Sequence, residues 1–460
     1  MPSVIAPTTT RAEHPGLPLP RRWWAIAAIS FGTALLVLDG SIANVALPTI
    51  ARDLGVSNSV ITNVVTIYQL VLVMLLLPFS SLGDRIGHRR LYQYGQGLFM
   101  LASALCLLAD SLWLLLALRA LQAAGAAMAL SVSSAMLRQI YPTARLGTGL
   151  GINSVIVASS SALAPTMGGY IAGHAPWEWV FVAAAPLAVV SLLLGQALPD
   201  PQPQDRATDW TSAIWSALTM LLLIGGLQLG THGTIALGAA IGVLGVVSLV
   251  LLVRRERAIT APVLPVDLLA MPAIGLSALG GMASFIAAGT LMLSLPFRLQ
   301  EGMGYDPQMT GLFLLPFPLT MLFVAPMAGW LSDRVAPTKL GVTGMGIAIT
   351  GLVLLATMPP EPDGVGVAMR LGFTALGFGL FFAPNTRLII SRAPAARSAA
   401  AGGLLSTSRL FGQTLAAVVV GMLLAGGMGL GPSPMVLSCA LCVLAALCSV
   451  QRYRLRQPSA

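Results

Sequence analysis

What most constrains this chain is a succession of apolar runs, each about 20 residues long, the length an α-helix needs to cross the hydrocarbon core of a bilayer. Helices of this kind satisfy their backbone hydrogen bonds internally, as lipid demands. Strands of a membrane barrel would alternate polar and apolar residues, and these runs do not. The spacing predicts fourteen helices, near 23–47, 58–82, 91–109, 112–137, 146–173, 178–198, 210–230, 234–253, 272–297, 308–331, 340–358, 364–386, 400–426 and 433–451. With 56% of its residues hydrophobic and only 9% charged, the chain is expected to be an all-α polytopic membrane protein rather than a soluble domain.

The formal charge of +9 invites a nucleic-acid reading, which the placement of the charges removes. An even number of spans puts both termini on one side, and 20 of the 25 Lys and Arg fall in tails and loops of that side. Only Arg52 and Arg298 fall opposite. Such a bias predicts cytoplasmic termini and insertion in the inner membrane. The basic balance is thus a topology signal, with lipid as the main partner and no nucleic acid.

Cys106, Cys439, Cys442 and Cys448 all lie in expected spans, and the C-x-x-C of Cys439 and Cys442 has no His or basic neighbour. Packing is the expected role. His14, His88, His174 and His232 fall in tails or loops. No phosphate loop, metal-ligand cluster or nucleophile–base pair stands outside the spans, so neither an enzyme nor a cofactor is expected. The first 20 residues are polar and Pro-rich, and span 1 reads as a retained signal anchor.

Internal repetition organises the rest. "ALPTIARDLGVSNSV" at 46–60 is echoed by "SLPFRLQEGMGYDPQM" at 294–309, with Pro48 and Pro296 each expected to close a helix. Asp84-Arg85 and Asp333-Arg334 are 249 residues apart, and Arg119 and Arg370 are 251 apart. A near-constant offset maps spans 1–6 onto spans 9–14 as two parallel six-helix bundles. The expected organisation is a tail at 1–22, a first bundle at 23–198, a linker with two extra helices at 199–270, a second bundle at 271–452 and a tail at 453–460.

At this point the chain resembles the major facilitator superfamily, specifically its 14-span drug:proton antiporter family. The likeness rests on "LDGSIANVALPTI" in span 1, "SLGDRIGHRR" after span 2, "RALQAAGAA" in span 4, "APTMGGYIAGHAPWEWVF" in span 5 and beyond, and "GFGLFFAPN" and "LLSTSRLFGQ" in spans 12 and 13. It implies two bundles rocking about a central site, and export of drugs or other small amphiphiles in exchange for protons. A proton-coupled uptake symporter on the same fold, or a non-transporting membrane sensor, remains open. A monomer is expected.

Charges at membrane depth are few: Asp39, Arg119, Arg370 and Arg409. Asp39 and Arg119 are expected at equal depth, roughly 12 Å from the same boundary at 1.5 Å per residue. A buried carboxylic acid is held neutral by desolvation and ionised by a nearby guanidinium, so small changes in hydration can move a proton on or off. Asp39 with Arg119 is therefore a proton-coupling candidate, and a permanently ionised structural pair is the competing role.

The resemblance also implies a conformational latch at Asp84, Arg85, Gly87, Arg89 and Arg90, repeated at Asp333 and Arg334. In span 5, Pro165 removes a helix hydrogen bond and Gly168 with Gly169 permits bending and close packing, so these three are hinge candidates. Polar residues within long apolar runs nominate a substrate cavity of Asn44, Asn63, Tyr68, Gln69, Gln122, Asn153, Arg370, Thr374 and Asn385, with interhelical packing as the alternative for each. The family pattern is broken at Ser80 and Ala164, where Gly is usual, at Asn63, where Trp is usual, and at Glu178, where Arg is usual. No acid stands at depth in spans 9–14, which disfavours dicationic substrates.

Overall fold

The computed structural model describes residues 16–142, 146–199, 210–231, 234–257, 266–359, 363–394 and 397–455. The start of the N-terminal tail, the body of the Pro-rich linker, the connection at 258–265 and the end of the C-terminal tail lie outside the described residues.

The long helices follow the expected series. They are α1 (Arg21–Asp53), α2 (Asn63–Ile86), α3 (His88–Leu105), α4 (Leu112–Ile140), α5 (Leu146–His174), α6 (Ala185–Leu194) and α7 (Trp210–Thr231). After these come α8 (Ile235–Glu256), α9 (Pro272–Phe297), α10 (Pro316–Leu331), α11 (Pro337–Ala356), α12 (Gly364–Arg392), α13 (Ser398–Ala425) and α14 (Ser433–Arg454). Among the described residues 13 stretches are long and apolar enough to cross a bilayer, and α5, helical over 29 residues, completes the series. Three spans are jointed: short helices at Asn58–Ile61, Trp179–Val182 and Pro307–Leu314 lead into α2, α6 and α10.

Two prolines behave differently from expectation. Pro48 and Pro296 do not close their helices: α1 runs on to Asp53, and α9 continues through a π-turn at Arg298–Gly302. Proline removes one hydrogen bond and crowds the preceding turn, but residues beyond it can resume the helix once neighbours hold the loosened turn. Here the Val45 carbonyl, in the turn before Pro48, accepts a 2.7 Å hydrogen bond from Gln300 Nε2 on the π-turn. Between α2 and α3 a single residue turns the chain, Gly87 at φ 99°, a backbone conformation closed to most side chains.

Helix ends sort by charge. One face carries Arg21, Arg22, Arg85, Arg89, Arg90, Arg254, Arg255, Arg392, Arg452 and Arg454 and is called the basic face below. On the distal face Arg298 donates to the last carbonyls of α11, Leu355 and Ala356, at 2.8 and 3.3 Å. Arg52 there faces Glu301 at 3.5 Å. Distal acids also serve locally: Asp306 and Asp363 cap the helices that follow them, and Asp53 accepts from Trp177 Nε1 at 2.6 Å.

Spans 1–6 pack mainly on one another, α1 on α5 and α6 and α4 on α2 and α3, and spans 9–14 do likewise. Two lateral seams join these groups. In one, α5 meets the jointed span 10 so closely that a Cβ on Gly311 would stand 2.5 Å from the Pro165 carbonyl, and one on Gly169 would strike the Pro307 carbonyl. In the other, a Cβ on Gly421 of α13 would stand 2.7 Å from Thr62 Oγ1. Gly311 lies 249 residues after Thr62, so the two seams occupy related positions in the repeat. The hydrogen bonds and ion pairs that cross between the groups, among the described residues, are Gln300 to Val45 and Arg52 to Glu301, both toward the distal face.

The two extra helices are not simply peripheral. α7 lies along the second seam, touching α2 and α13, where Ile224 packs with Leu70 and Val418. Gln228 of α7 donates to Asn63 of α2. α8 packs on α7 through closely approaching glycine backbones at Gly226, Gly238 and Gly245.

The second seam yields a direct test. A Cβ on Gly421 lies 3.8 Å from Thr62 Cβ, the separation a disulfide requires. With the four native cysteines replaced by alanine, Thr62→Cys with Gly421→Cys is expected to cross-link under mild oxidant and to release on addition of reductant. Cysteines that stay fully alkylatable under oxidant would show that this seam does not close as described.

Candidate functional site

Equal depth made a pair of Asp39 and Arg119 geometrically possible, and the structure brings the two together. Arg119 Nη1 stands 3.0 and 3.2 Å from the two Asp39 carboxylate oxygens, with both residues 1% exposed or less. α1 continues past Pro48, so Asp39 lies 14 residues before Asp53, roughly 21 Å along the helix.

The surroundings suit a cation better than an anion. The same Nη1 donates to Gln122 Oε1 at 2.8 Å, one turn along α4, and Gln122 Nε2 donates to Ser103 Oγ on α3 at 2.8 Å. Arg119 Cζ lies 4.1 Å from the centre of the Tyr68 ring and 5.1 Å from that of Phe181. Desolvated cation–π contacts of this kind are worth about 2 kcal/mol. The carboxylate receives one nitrogen across both oxygens rather than the two-nitrogen fork that makes the strongest Arg–carboxylate pairs. The guanidinium thus has partners other than Asp39, namely Gln122 and two aromatic faces.

The nine cavity nominees do not gather in one place. Tyr68 and Gln122 belong to the buried cluster of the first bundle. Asn385 ties α12 to α9 and α14, donating to the Ser277 carbonyl at 3.0 Å and accepting from Arg452 at 3.2 Å. Thr374 bonds its own helix at the Arg370 carbonyl and packs against Gly351 of α11. Asn63 is engaged by Gln228. Arg370 is half-buried near the distal end of α12, where its guanidinium and the Asp363 carboxylate both lie against Gly366. Asn44 and Asn153 are half-buried, and Gln69, almost fully buried, has an unpartnered side-chain oxygen.

The family model for the Major Facilitator Superfamily matches residues 29–417 and, in a second match, 278–459. This chain belongs to that superfamily. It is 41% identical to the uncharacterized transporter YebQ of Escherichia coli (strain K12), over 97% of this chain and 99% of that protein. It is 29% identical to the multidrug efflux pump LfrA of Mycolicibacterium smegmatis, over 90% of this chain and 82% of the relative. In fold it matches the inward-facing crystal structure of a bacterial homologue of the human lysosomal transporter Spinster, with a TM-score of 0.70 and 16% identity over 96% and 100% of the two chains.

The remaining nominees of this superfamily member are placed as follows. Asp84 pairs with His88 Nε2 at 2.9 Å within its own turn, while its repeat counterpart Asp333 pairs with Arg387 of α12 at 2.5 Å. Arg334 stacks on Trp330 at 3.7 Å. Arg85 and Arg90 are exposed and Arg89 is half-buried beside them. Pro165 and Gly169 form the α5 side of one seam, and Gly168 lies against the Ile42 carbonyl of α1. Sequence reading missed Ser103, Phe181, Gln300 and the Arg52–Glu301 pair. Ser103 and Gln96 are seven residues apart on α3, a polar spacing in an apolar span that was readable. Gln300 and Glu301 sit in a stretch that reads as loop, and nothing local marks their partners.

Breaking a buried ion pair on one side costs about 3–5 kcal/mol, because the other charge is stranded, whereas removing both can be nearly neutral. Asp39→Asn and Arg119→Gln are each expected to lower the detergent-solubilised melting temperature more than the double substitution does. Melting temperatures that fall additively in the double variant would show that the two charges do not depend on each other.

Proposed function

We propose that this chain is a proton-coupled exporter, exchanging a small amphiphilic compound for protons by alternating access between its two bundles. The observation that carries the reading is a carboxylate fully withdrawn from water, held by one nitrogen of a guanidinium that has other partners. Such a site favours one state of protonation in each conformation, which is what coupling requires. The basic face is cytoplasmic in this reading, by the positive-inside bias, and the membrane is the inner one. Contacts concentrated toward the distal face then describe a state closed to the outside.

In the exchange cycle the proton reaches Asp39 from outside and leaves toward the cytoplasm. Protonation cancels the anion, and Arg119 turns to Gln122, Tyr68 and Phe181. Substrate binds between the bundles in this reading, and the second bundle carries two partly exposed stacked rings, Phe285 and Phe382, that suit an amphiphile. The similarity to the efflux pump LfrA supports drugs or drug-like amphiphiles as cargo. Asp84, Arg85, Gly87, Arg89 and Arg90, with Asp333 and Arg334, act as the latch that closes the basic face in the opposite state. Pro165, Gly168 and Gly169 act as the hinge of α5, Pro165 and Gly169 facing span 10 and Gly168 facing α1.

The test uses inside-out vesicles carrying an imposed pH gradient, challenged with cationic, neutral and anionic aromatic compounds. Wild-type protein is expected to release protons on addition of at least one class, and Asp39→Asn is expected to give only the background of empty vesicles. A variant that responds as wild type does would remove Asp39 from coupling. Proton movement in the same direction as the compound would identify a symporter instead.

A further inference from the structure

A second buried polar cluster lies in the first bundle, two helical turns from the ion pair toward the basic face. Tyr92 Oη and Ser191 Oγ are 2.9 Å apart, and both donate to the Ala28 carbonyl of α1, at 3.1 and 2.8 Å. Gln96 stands beside them, 0% exposed, its amide within reach of the Tyr92 hydroxyl but without a well-formed hydrogen bond on either its oxygen or its nitrogen. All three side chains converge on Gly32: a Cβ there would collide with Tyr92 Oη and stand 2.7 Å from Gln96 Nε2 and 3.0 Å from Ser191 Oγ. An orphaned amide at this depth costs about 1–3 kcal/mol per group unless water reaches it.

The register ties this cluster to the ion pair. Gly32 and Asp39 are seven residues apart on α1, and Gln96 and Ser103 are seven apart on α3. α1 and α3 both run from the basic to the distal face, so the two clusters stack along the same pair of helices. Their separation is roughly 10.5 Å at 1.5 Å per residue. About three waters in line at hydrogen-bond spacing cover that distance. Phe99, fully buried, sits between Gln96 and Ser103 in sequence.

We propose that Gln96, with Tyr92 and Ser191 packed against Gly32, is a hydrated way station through which a proton leaving Asp39 reaches the basic face inside the first bundle. The inference rests on Asp39 as the proton site. The step balances: the O–H bond of the Asp39 carboxyl breaks, each water or hydroxyl in the line takes one proton and passes on another, and the last proton enters bulk water. Asp39 is left as the carboxylate paired with Arg119. Tyr92, Ser191 and Gln96 end unchanged, so Gln96 is a positioning residue that holds the water line.

Hydroxyl-radical footprinting of the full chain in lipid nanodiscs tests the hydration without knowledge of the cargo. Tyr92 is expected to be modified at least about fivefold faster than Phe381, a fully buried ring of the second bundle; such ratios correspond to about 1 kcal/mol. Gln96→Leu is expected to abolish the difference, Gln96→Asn to keep much of it, and Asp39→Asn to leave it unchanged. Equal labelling of Tyr92 and Phe381 in the wild type, or labelling indifferent to Gln96→Leu, overturns the way station. In the vesicle assay Gln96→Leu is expected to slow proton-driven transport about tenfold, 1.4 kcal/mol in barrier, while compound-for-compound exchange without a gradient persists. Loss of both together, without rescue by Gln96→Asn, marks a structural role and also overturns it. Hydration with an indifferent Asp39→Asn flux would condemn the proton site alone.

Discussion

Asp39 and Arg119 are buried together, away from water and lipid, and the first bundle is arranged around that fact. A lone charge at such depth costs several kcal/mol, so each helix bearing one is held to the other, and the residues around the pair must finish the solvation that water would have supplied. Gln122, Ser103, Tyr68 and Phe181 do this from α4, α3, α2 and the segment before α6. Five of the six spans of the bundle thus meet at one polar point.

The exchange proposed above requires the two bundles to slide against each other at the two seams. Where α5 meets span 10, glycine and backbone approach closely at Gly169 and Gly311; where α13 meets span 2, Gly421 faces the Thr62 hydroxyl, and Leu70, Val418 and Ile224 pack beside it. The polar links between bundles, Gln300 to Val45 and Arg52 to Glu301, are few and lie at one end. An exposed ion pair contributes about 1 kcal/mol or less. Forces of that size bias one conformation without locking it. The extra helices make the seams unequal: α7 covers the one between α2 and α13 and bonds Asn63, whereas the seam between α5 and span 10 has no such cover among the described residues.

The fold was largely legible because lipid is a strict solvent: apolar run length and the sidedness of arginines nearly determine the helices and their order. Asp39 and Arg119 were legible for the same reason, as charges with nowhere else to go. Helix ends at Pro48 and Pro296 were not, because whether a proline stops a helix depends on a partner such as Gln300, far away in sequence. Cavity residues were least legible. A polar side chain in an apolar span has the same appearance in sequence whether it faces a cavity or, like Asn385, bridges Ser277 and Arg452 inside a bundle. Only the identity of the facing helix decides.

The repeat makes the difference between the bundles informative. Arg119 has its counterpart in Arg370, but the residue 249 after Asp39 is Ala288, so the second copy keeps the cation and lacks the acid. Without that acid, Arg370 does not sink into its bundle; it stays half-buried toward the distal end, beside Asp363. The interior it leaves is filled by apolar packing, including the tier of Phe378, Phe381 and Phe382. The two halves of the repeat thus differ, one holding a buried ion pair and the other an aromatic tier. In the exchange proposed above, coupling need not pass through direct contact between proton and cargo: each ligand would bias the same rocking of the two bundles from its own side.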